Sequence, residues 1–278
     1  MTLPGPLVSV DWLAQHLDDV DLADVRWSVD EGAKLSDYRD GHLPKAVFVD
    51  LDADLSDPPG DRGRHPLPST AQFQATLERL GLGRHPVVCY DDASGATAAR
   101  MWWMLDAVGH PAAVLDGGLA AWTGALEQGD PPTARPVETD PSTHQDWDPG
   151  RIVAVDEVLG LIDGGTAALD ARSSERFAGN PNPVDPVLGH IPGASSRPWT
   201  ENVDSSGRLR PAEELRRQFE SFGLDDSSVW IASCGSGVTA CHNLLAARMA
   251  GLPDGRLYAG SWSEWIRDPS RPVATGDE

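Results

Sequence analysis

Cysteine is scarce in this chain. Three occur in 278 residues, at Cys89, Cys234 and Cys241. An odd count with no Cys-x-x-Cys pair excludes a disulfide framework and offers no structural zinc motif. A reducing cytoplasm is the compartment that such usage fits. Long apolar runs are missing too. No stretch reaches the about 18 residues that a transmembrane helix needs, so no membrane span is expected. The opening residues, Met1-Thr2-Leu3-Pro4-Gly5-Pro6, lack a basic n-region and an apolar h-region, so no signal peptide is expected. Positive charge is in short supply: 22 Lys and Arg stand against 43 Asp and Glu, a net charge of −21. No basic stripe offsets that balance, which excludes nucleic acid and anionic membrane surfaces as partners. A site for a small anion must therefore carry its own local cations. Nothing in the chain implies a metal or an organic cofactor.

What is present is repetition. Leu22-Ala23-Asp24-Val25-Arg26 returns as Ala168-Leu169-Asp170-Ala171-Arg172. Gly41-His42-Leu43-Pro44-Lys45-Ala46 returns as Gly189-His190-Ile191-Pro192-Gly193-Ala194. Leu115-Asp116-Gly117-Gly118 with Trp122 returns as Tyr258-Ala259-Gly260-Ser261 with Trp265. Five such blocks keep one order at offsets between 142 and 148. Copies of that length are too long for a solenoid and point to two domains of one fold. We place the first at residues 1–128 and the second at residues 150–278. Residues 129–149, rich in Pro and without periodicity, form the linker between them.

Within each copy, short apolar runs alternate with helical patterns. Val87–Tyr90 and Val229–Ser233 read as buried strands. Residues 96–108 and 238–250 read as helices that end near glycine, and Pro211 opens another. Alternating strands and helices predict an α/β fold, each domain a parallel sheet flanked by helices.

One loop has the composition of a reaction centre. Between the strand ending at Ser233 and the helix opening at Val238 lies Cys234-Gly235-Ser236-Gly237. In open α/β sheets, ligands bind beyond the carboxyl ends of the strands. A cysteine there faces loop N–H groups and a helix N-terminus, which favour a thiolate. The thiol is expected to be open to a small sulfur compound. Anchoring the first copy on Gly95 and Thr97 sets Asp92 against Cys234. An aspartate is no sulfur nucleophile, so the first domain is read as non-catalytic.

The repeated blocks, Arg176-Phe177 and the Cys234 loop together resemble the two-domain rhodanese-type sulfurtransferases over nearly the whole chain. Cys234-Gly235-Ser236-Gly237-Val238-Thr239 resembles the 3-mercaptopyruvate type. The thiosulfate type usually has Arg and Lys where Gly235 and Ser236 stand. The resemblance implies that Cys234 takes a sulfane sulfur as a persulfide and passes it to a thiol acceptor, thioredoxin-like or small, or to cyanide. It implies a proton relay of Ser236 with His65 and Asp57, with Asp61 competing with Asp57. Cleavage of a C–S bond leaves an enolate that must be protonated. It implies donor binding by Arg176 and by the loop residues Gly235, Gly237, Val238 and Thr239. A second arginine, nine residues on in some relatives, is missing, because Val184 or Asp185 stands there; Arg172 is a candidate to compensate.

Plainer readings apply to other residues. Cys89 reads as a buried strand residue, and Cys241 as packing rather than a redox partner. His42 and His190 recur in both copies, including the one without a loop cysteine, and so read as structural. Two other classes fit the sequence less well. A cysteine phosphatase needs an arginine six residues after the nucleophile, where Ala240 stands. A non-enzymatic sulfur-relay or binding module would not need the Cys-Gly-Ser-Gly loop. Within the enzyme class, thiosulfate is the alternative donor.

Overall fold

The computed structural model describes residues 2–132 and 147–276. Most of the linker therefore lies outside the described residues. The chain divides into two units, and neither is one continuous stretch. The first takes Met1–Asp57, Leu67–Asp148 and Ser205–Leu209; the second takes Pro58–Pro66, Pro149–Asp204 and Arg210–Glu278. A short segment from each half of the sequence thus belongs to the other half's unit.

The first unit is built on a five-stranded parallel sheet. In spatial order its strands are Leu7–Val8, Ala112–Leu115, Val87–Tyr90, Asp21–Asp24 and Val47–Phe48. Val87–Tyr90 is buried at every residue, as a central parallel strand covered on both faces must be. The second unit has Arg256–Leu257, Trp230–Ser233, Ala167–Asp170 and Ser195–Ser196 in the same parallel order. Its fifth position is reduced to one parallel bridge between Ile152 and Leu257. Val229, read from sequence as a strand residue, lies outside the strand and is 62% exposed. The helices after the central strands run Ala98–Ala107 and Ala240–Met249, two residues later in starting than their patterns predict. Those first residues remain part of the loop.

The repeated blocks have one structural role in both units. Arg26 forks onto Asp24 and also donates from Nη2 to the Gly41 carbonyl at 2.8 Å. Arg172 forks onto Asp170 and donates from Nη2 to the Gly189 carbonyl at 2.9 Å. Each pair is buried and clamps a strand end to the turn that carries the Gly-His block. His42 stacks on Tyr38 at 3.8 Å and His190 on Phe177 at 3.7 Å, each with Nδ1 bonded to the carbonyl of its stacking partner. The structural reading of both histidines holds. Five of the ten tryptophans are fully buried; Trp230, Trp262 and Trp265 are in the second unit.

Candidate active site

The strand Trp230–Ser233 ends at Cys234, and the helix Ala240–Met249 begins six residues later. The loop between them wraps the sulfur. The N–H groups of Gly237 and Ser236 donate to Cys234 Sγ at 3.1 and 3.4 Å. Gly237 has φ +75°, and a Cβ there would stand 2.2 Å from the Ala259 carbonyl oxygen. Only glycine lets the chain turn its N–H inward at this point. Behind the loop, the Cys234 N–H donates to Ser261 Oγ at 3.0 Å, and the Ser261 hydroxyl donates to the Tyr258 carbonyl at 2.8 Å. Ser261 has φ +51°, a conformation rare for a side-chain-bearing residue. Its hydroxyl holds two neighbours in that strained position.

Cys234 is 2% exposed, deeper than the open thiol expected from the sequence. It is nonetheless surrounded by donors rather than by hydrocarbon alone. The other two thiols differ. Burial pushes the Cys89 thiol far up, and the Asp91 charge adds to that. Cys241 Sγ donates to the Gly237 carbonyl at 3.4 Å, a packing role beneath the loop.

His65 Nδ1 and Ser236 Oγ share a hydrogen bond of 2.7 Å. Both residues are buried. Pro58–Pro66, the segment carrying His65, is the part of the first half of the sequence that belongs to the second unit. It is folded on itself by reciprocal Gly60–Gly63 backbone bonds, both 3.0 Å. It is pinned by the Arg64 N–H donating to Ser263 Oγ at 3.0 Å. Gly63, φ +101°, passes so close that a Cβ would stand 2.7 Å from Ser263 Oγ. Asp57 falls in the first unit, where it accepts from Gln72 Nε2 at 3.2 Å; Asp61 is an exposed residue of the segment. Val238 and Thr239 bring the chain into the helix; Thr239 is its N-cap residue, and the Val238 carbonyl accepts from the Cys241 N–H at 3.1 Å.

Arg176 sits on the helix Ser174–Ala178, which Ser173 caps. Its guanidinium forks onto Asp185, Nε to Oδ2 and Nη2 to Oδ1, both 2.8 Å. Position 185 thus holds the counter-charge of Arg176 rather than a second cation. Arg172 does not compensate. It is 2% exposed, committed to Asp170, and stacked over Trp262 at 4.9 Å. Sequence reasoning missed the residue that does stand beside Arg176, which is Arg64. Its Nη1 lies 3.6 Å from Asp185 Oδ1 and 3.5 Å from the Val184 carbonyl. A Cβ on Gly235 would meet Arg64 Nη2 at 2.8 Å and Arg176 Nη2 at 3.0 Å. Burial, the largest influence, pulls the Arg64 pKa below the ordinary arginine value. Asp185 and the Cys234 sulfur push back, and Arg176 adds to the fall. A signal for Arg64 was in the repeat, since Gly63-Arg64 returns as Gly207-Arg208 at an offset of 144.

The first unit corrects one alignment. Asp24 pairs with Tyr90 across the first sheet, as Asp170 pairs with Ser233 across the second. Because Asp24 and Asp170 are counterparts, Asp91, not Asp92, occupies the strand-end place of Cys234. The loop is one residue longer there, which displaced the anchor. The Asp91 carboxylate takes N–H groups from Ala93, Gly95, Thr97 and Ala98 at 2.8–2.9 Å. A fixed carboxylate thus fills the cradle that in the second unit holds a sulfur.

The chain is similar to known proteins over nearly its whole length. The Rhodanese-like domain family matches residues 9–125 and 154–268. A Pseudomonas aeruginosa protein named "Probable 3-mercaptopyruvate sulfurtransferase" is 45% identical over 98% of both chains. "Thiosulfate/3-mercaptopyruvate sulfurtransferase 2" of Arabidopsis thaliana is 36% identical over 96% of this chain and 86% of that one. Among solved structures, a 3-mercaptopyruvate sulfurtransferase from Leishmania major superposes with a TM-score of 0.83 at 35% identity. The match covers 96% of this chain and 76% of that one. None of the helices among the described residues is long and apolar enough to cross a membrane.

Proposed function

Since this chain belongs to the rhodanese family of sulfurtransferases, we propose that it carries sulfur from 3-mercaptopyruvate through a Cys234 persulfide to a thiol acceptor. The observation that carries this reading is the His65–Ser236 hydrogen bond of 2.7 Å, beside a sulfur that accepts two backbone N–H groups. A donor that leaves as a carbanion needs a proton delivered; that pair can pass one.

In this reading the Cys234 thiolate attacks the donor sulfur. An Sγ–S bond forms and the C3–S bond breaks, its electron pair passing to C3. The proton of the donor thiol travels through Ser236 and His65 to C3, giving pyruvate and leaving an anionic persulfide. The Ser236 and Gly237 N–H groups then face that negative charge. An acceptor thiolate, from a small thiol or a thioredoxin-like protein, attacks the outer sulfur and returns Cys234 as thiolate. No oxidant is consumed. A reducing cytoplasm, where acceptor thiols are plentiful, suits a chain whose three cysteines are all free.

Intact-mass measurement after adding 3-mercaptopyruvate should show about 32 Da on wild type and none on Cys234→Ser, with pyruvate released alongside. No adduct and no pyruvate would reject the donor assignment. A larger kcat/KM for thiosulfate would assign the other donor.

A further inference from the structure

Behind each strand-to-helix loop, a short helix opens on a residue in the left-handed region. In the first unit it is Gly118, φ +57°, at the start of Gly118–Ala121. In the second it is Ser261, φ +51°, at the start of Ser261–Trp265. The two are counterparts in the repeat, at the offset of 143 that also relates Trp122 to Trp265. The turn is the same in both. The Leu119 N–H donates to the Asp91 carbonyl at 2.8 Å, and the Trp262 N–H to the Cys234 carbonyl at 3.0 Å. Glycine takes this conformation freely and serine does not. The second unit thus keeps a side chain where the backbone alone favours none. The first unit has no room for one, since a Cβ on Gly118 would stand 2.4 Å from the Asp91 carbonyl oxygen.

The bonds of the Ser261 side chain explain the exchange. Its hydroxyl accepts the Cys234 N–H at 3.0 Å and donates to the Tyr258 carbonyl at 2.8 Å. The Trp262 and Ser263 N–H groups hold the Cys234 and Gly235 carbonyls at 3.0 and 2.9 Å, so both sides of Cys234 are fixed from one helix start. That helix is itself anchored. Trp262 and Trp265 are buried, and their indole N–H groups donate to the Val187 and Pro272 carbonyls. Asp91 needs no such support, because its carboxylate takes four backbone N–H groups at 2.8–2.9 Å and so orients itself. The Cys234 sulfur takes two, at 3.1 and 3.4 Å, and sulfur is a weak acceptor. Such bonds do not set the direction of the side chain alone; the peptide behind it must be held.

We propose that Ser261 is a positioning residue for sulfur transfer. By taking the Cys234 N–H, it turns the Cα–Cβ bond so that Sγ faces the Ser236 and Gly237 N–H groups, and it holds a strained backbone to do so. Ser261 is fully buried behind the loop, so it acts through Cys234 on the chemical step and not on donor binding. The proposal rests on the sulfur-transfer reading above.

The test separates hydroxyl from strain in the full-length protein. Ser261→Ala removes the hydroxyl and keeps the strain. Ser261→Gly removes both and restores the residue of the first unit. In urea, Ser261→Gly should unfold at a higher midpoint than Ser261→Ala. Both should nevertheless alkylate Cys234 with neutral iodoacetamide about fivefold more slowly than wild type. Both should release pyruvate from 3-mercaptopyruvate with kcat lowered about tenfold and KM within about twofold. Rates that recover in Ser261→Gly together with the midpoint overturn the proposal, because they mark a residue that only supports folding. A loss confined to KM overturns it as well, and so does alkylation that is unchanged or faster. Should Ser261→Ala fail to fold, Ser261→Gly against wild type decides by the same rates. If wild type forms no pyruvate while alkylation still slows in both variants, the donor reading fails and the positioning of the sulfur stands. Pyruvate release with alkylation unmoved keeps the donor reading and removes Ser261.

Discussion

Serine at 236 does two things, and they separate by substitution. Its N–H donates to the Cys234 sulfur, and its hydroxyl bonds His65. Ser236→Ala keeps the first and loses the second. It should lower kcat for pyruvate release about 10²–10⁴-fold while Cys234 still alkylates at close to the wild-type rate. His65→Asn should cost a similar factor. On the proposed relay, in which the two residues form one proton path, the double variant should be little worse than either single one. Rapid pyruvate assays of all three check this; additive losses would mean separate roles. Asp185 is the other residue whose effect has a sign that can be worked out. Burial alone would raise its pKa, but Arg176, Arg172 and Arg64 outweigh that and hold it below the ordinary carboxylate value. A lowered folded pKa stabilises above the unfolded value of about 3.9 and loses that stabilisation as pH falls through the folded one. Asp185→Asn should therefore lower the melting temperature at pH 7, and the gap to wild type should close progressively below about pH 4. A gap independent of pH would mean that the cost lies in packing.

The two strand-to-helix loops are one element put to two uses. Each presents backbone N–H groups to a side-chain acceptor at the end of its central strand, a sulfur in one case and the Asp91 carboxyl in the other. The Asp91 side chain is fully buried and its acceptors are taken up by four backbone donors. Asp91→Ala leaves those donors without the carboxylate and should destabilise the protein by about 2–4 kcal/mol, read as a shift in urea midpoint. A shift within about 0.5 kcal/mol would show that water replaces the carboxylate without loss. Replacing Gly237 tests the same element where the chain turns hardest. Gly237→Ala places a methyl against the Ala259 carbonyl in a left-handed conformation. Alkylation of Cys234 should slow in that variant, since the N–H that faces the sulfur must turn away.

At the scale of the whole chain, the division into units does not follow the repeat. Pro58–Pro66 brings Gly63, Arg64 and His65 to the second unit, and Ser205–Leu209 brings Gly207 and Arg208 to the first. The second half of the sequence therefore contains Cys234 and Ser236 but not His65, to which Ser236 bonds. Replacing residues 58–66 in the full chain by a Gly-Ser stretch of equal length should abolish pyruvate formation, a loss of more than about 100-fold. Helical content by circular dichroism should be nearly unchanged, because the segment contributes no helix. Retained turnover would remove the segment from the mechanism. The net charge of −21 makes the local cations more telling, since the global field repels the anion that the site is proposed to hold.

Periodicity and repetition were enough to read the α/β class, the parallel strands and the tandem copies, because those follow from local burial patterns that each copy states independently. The position of the Cys234 loop between strand and helix was equally legible, since its glycines and its place after a buried strand are local features. What sequence alone could not decide was which charges meet. Arg64 and Asp185 are 121 positions apart, and nothing local couples them. The pairing of Arg176 with Asp185, the commitment of Arg172 to Asp170 and the place of Asp91 in its cradle are set by sheet register and by where Pro58–Pro66 packs. Only the folded chain brings those groups within ångströms, where charge and hydrogen bonding choose the partners.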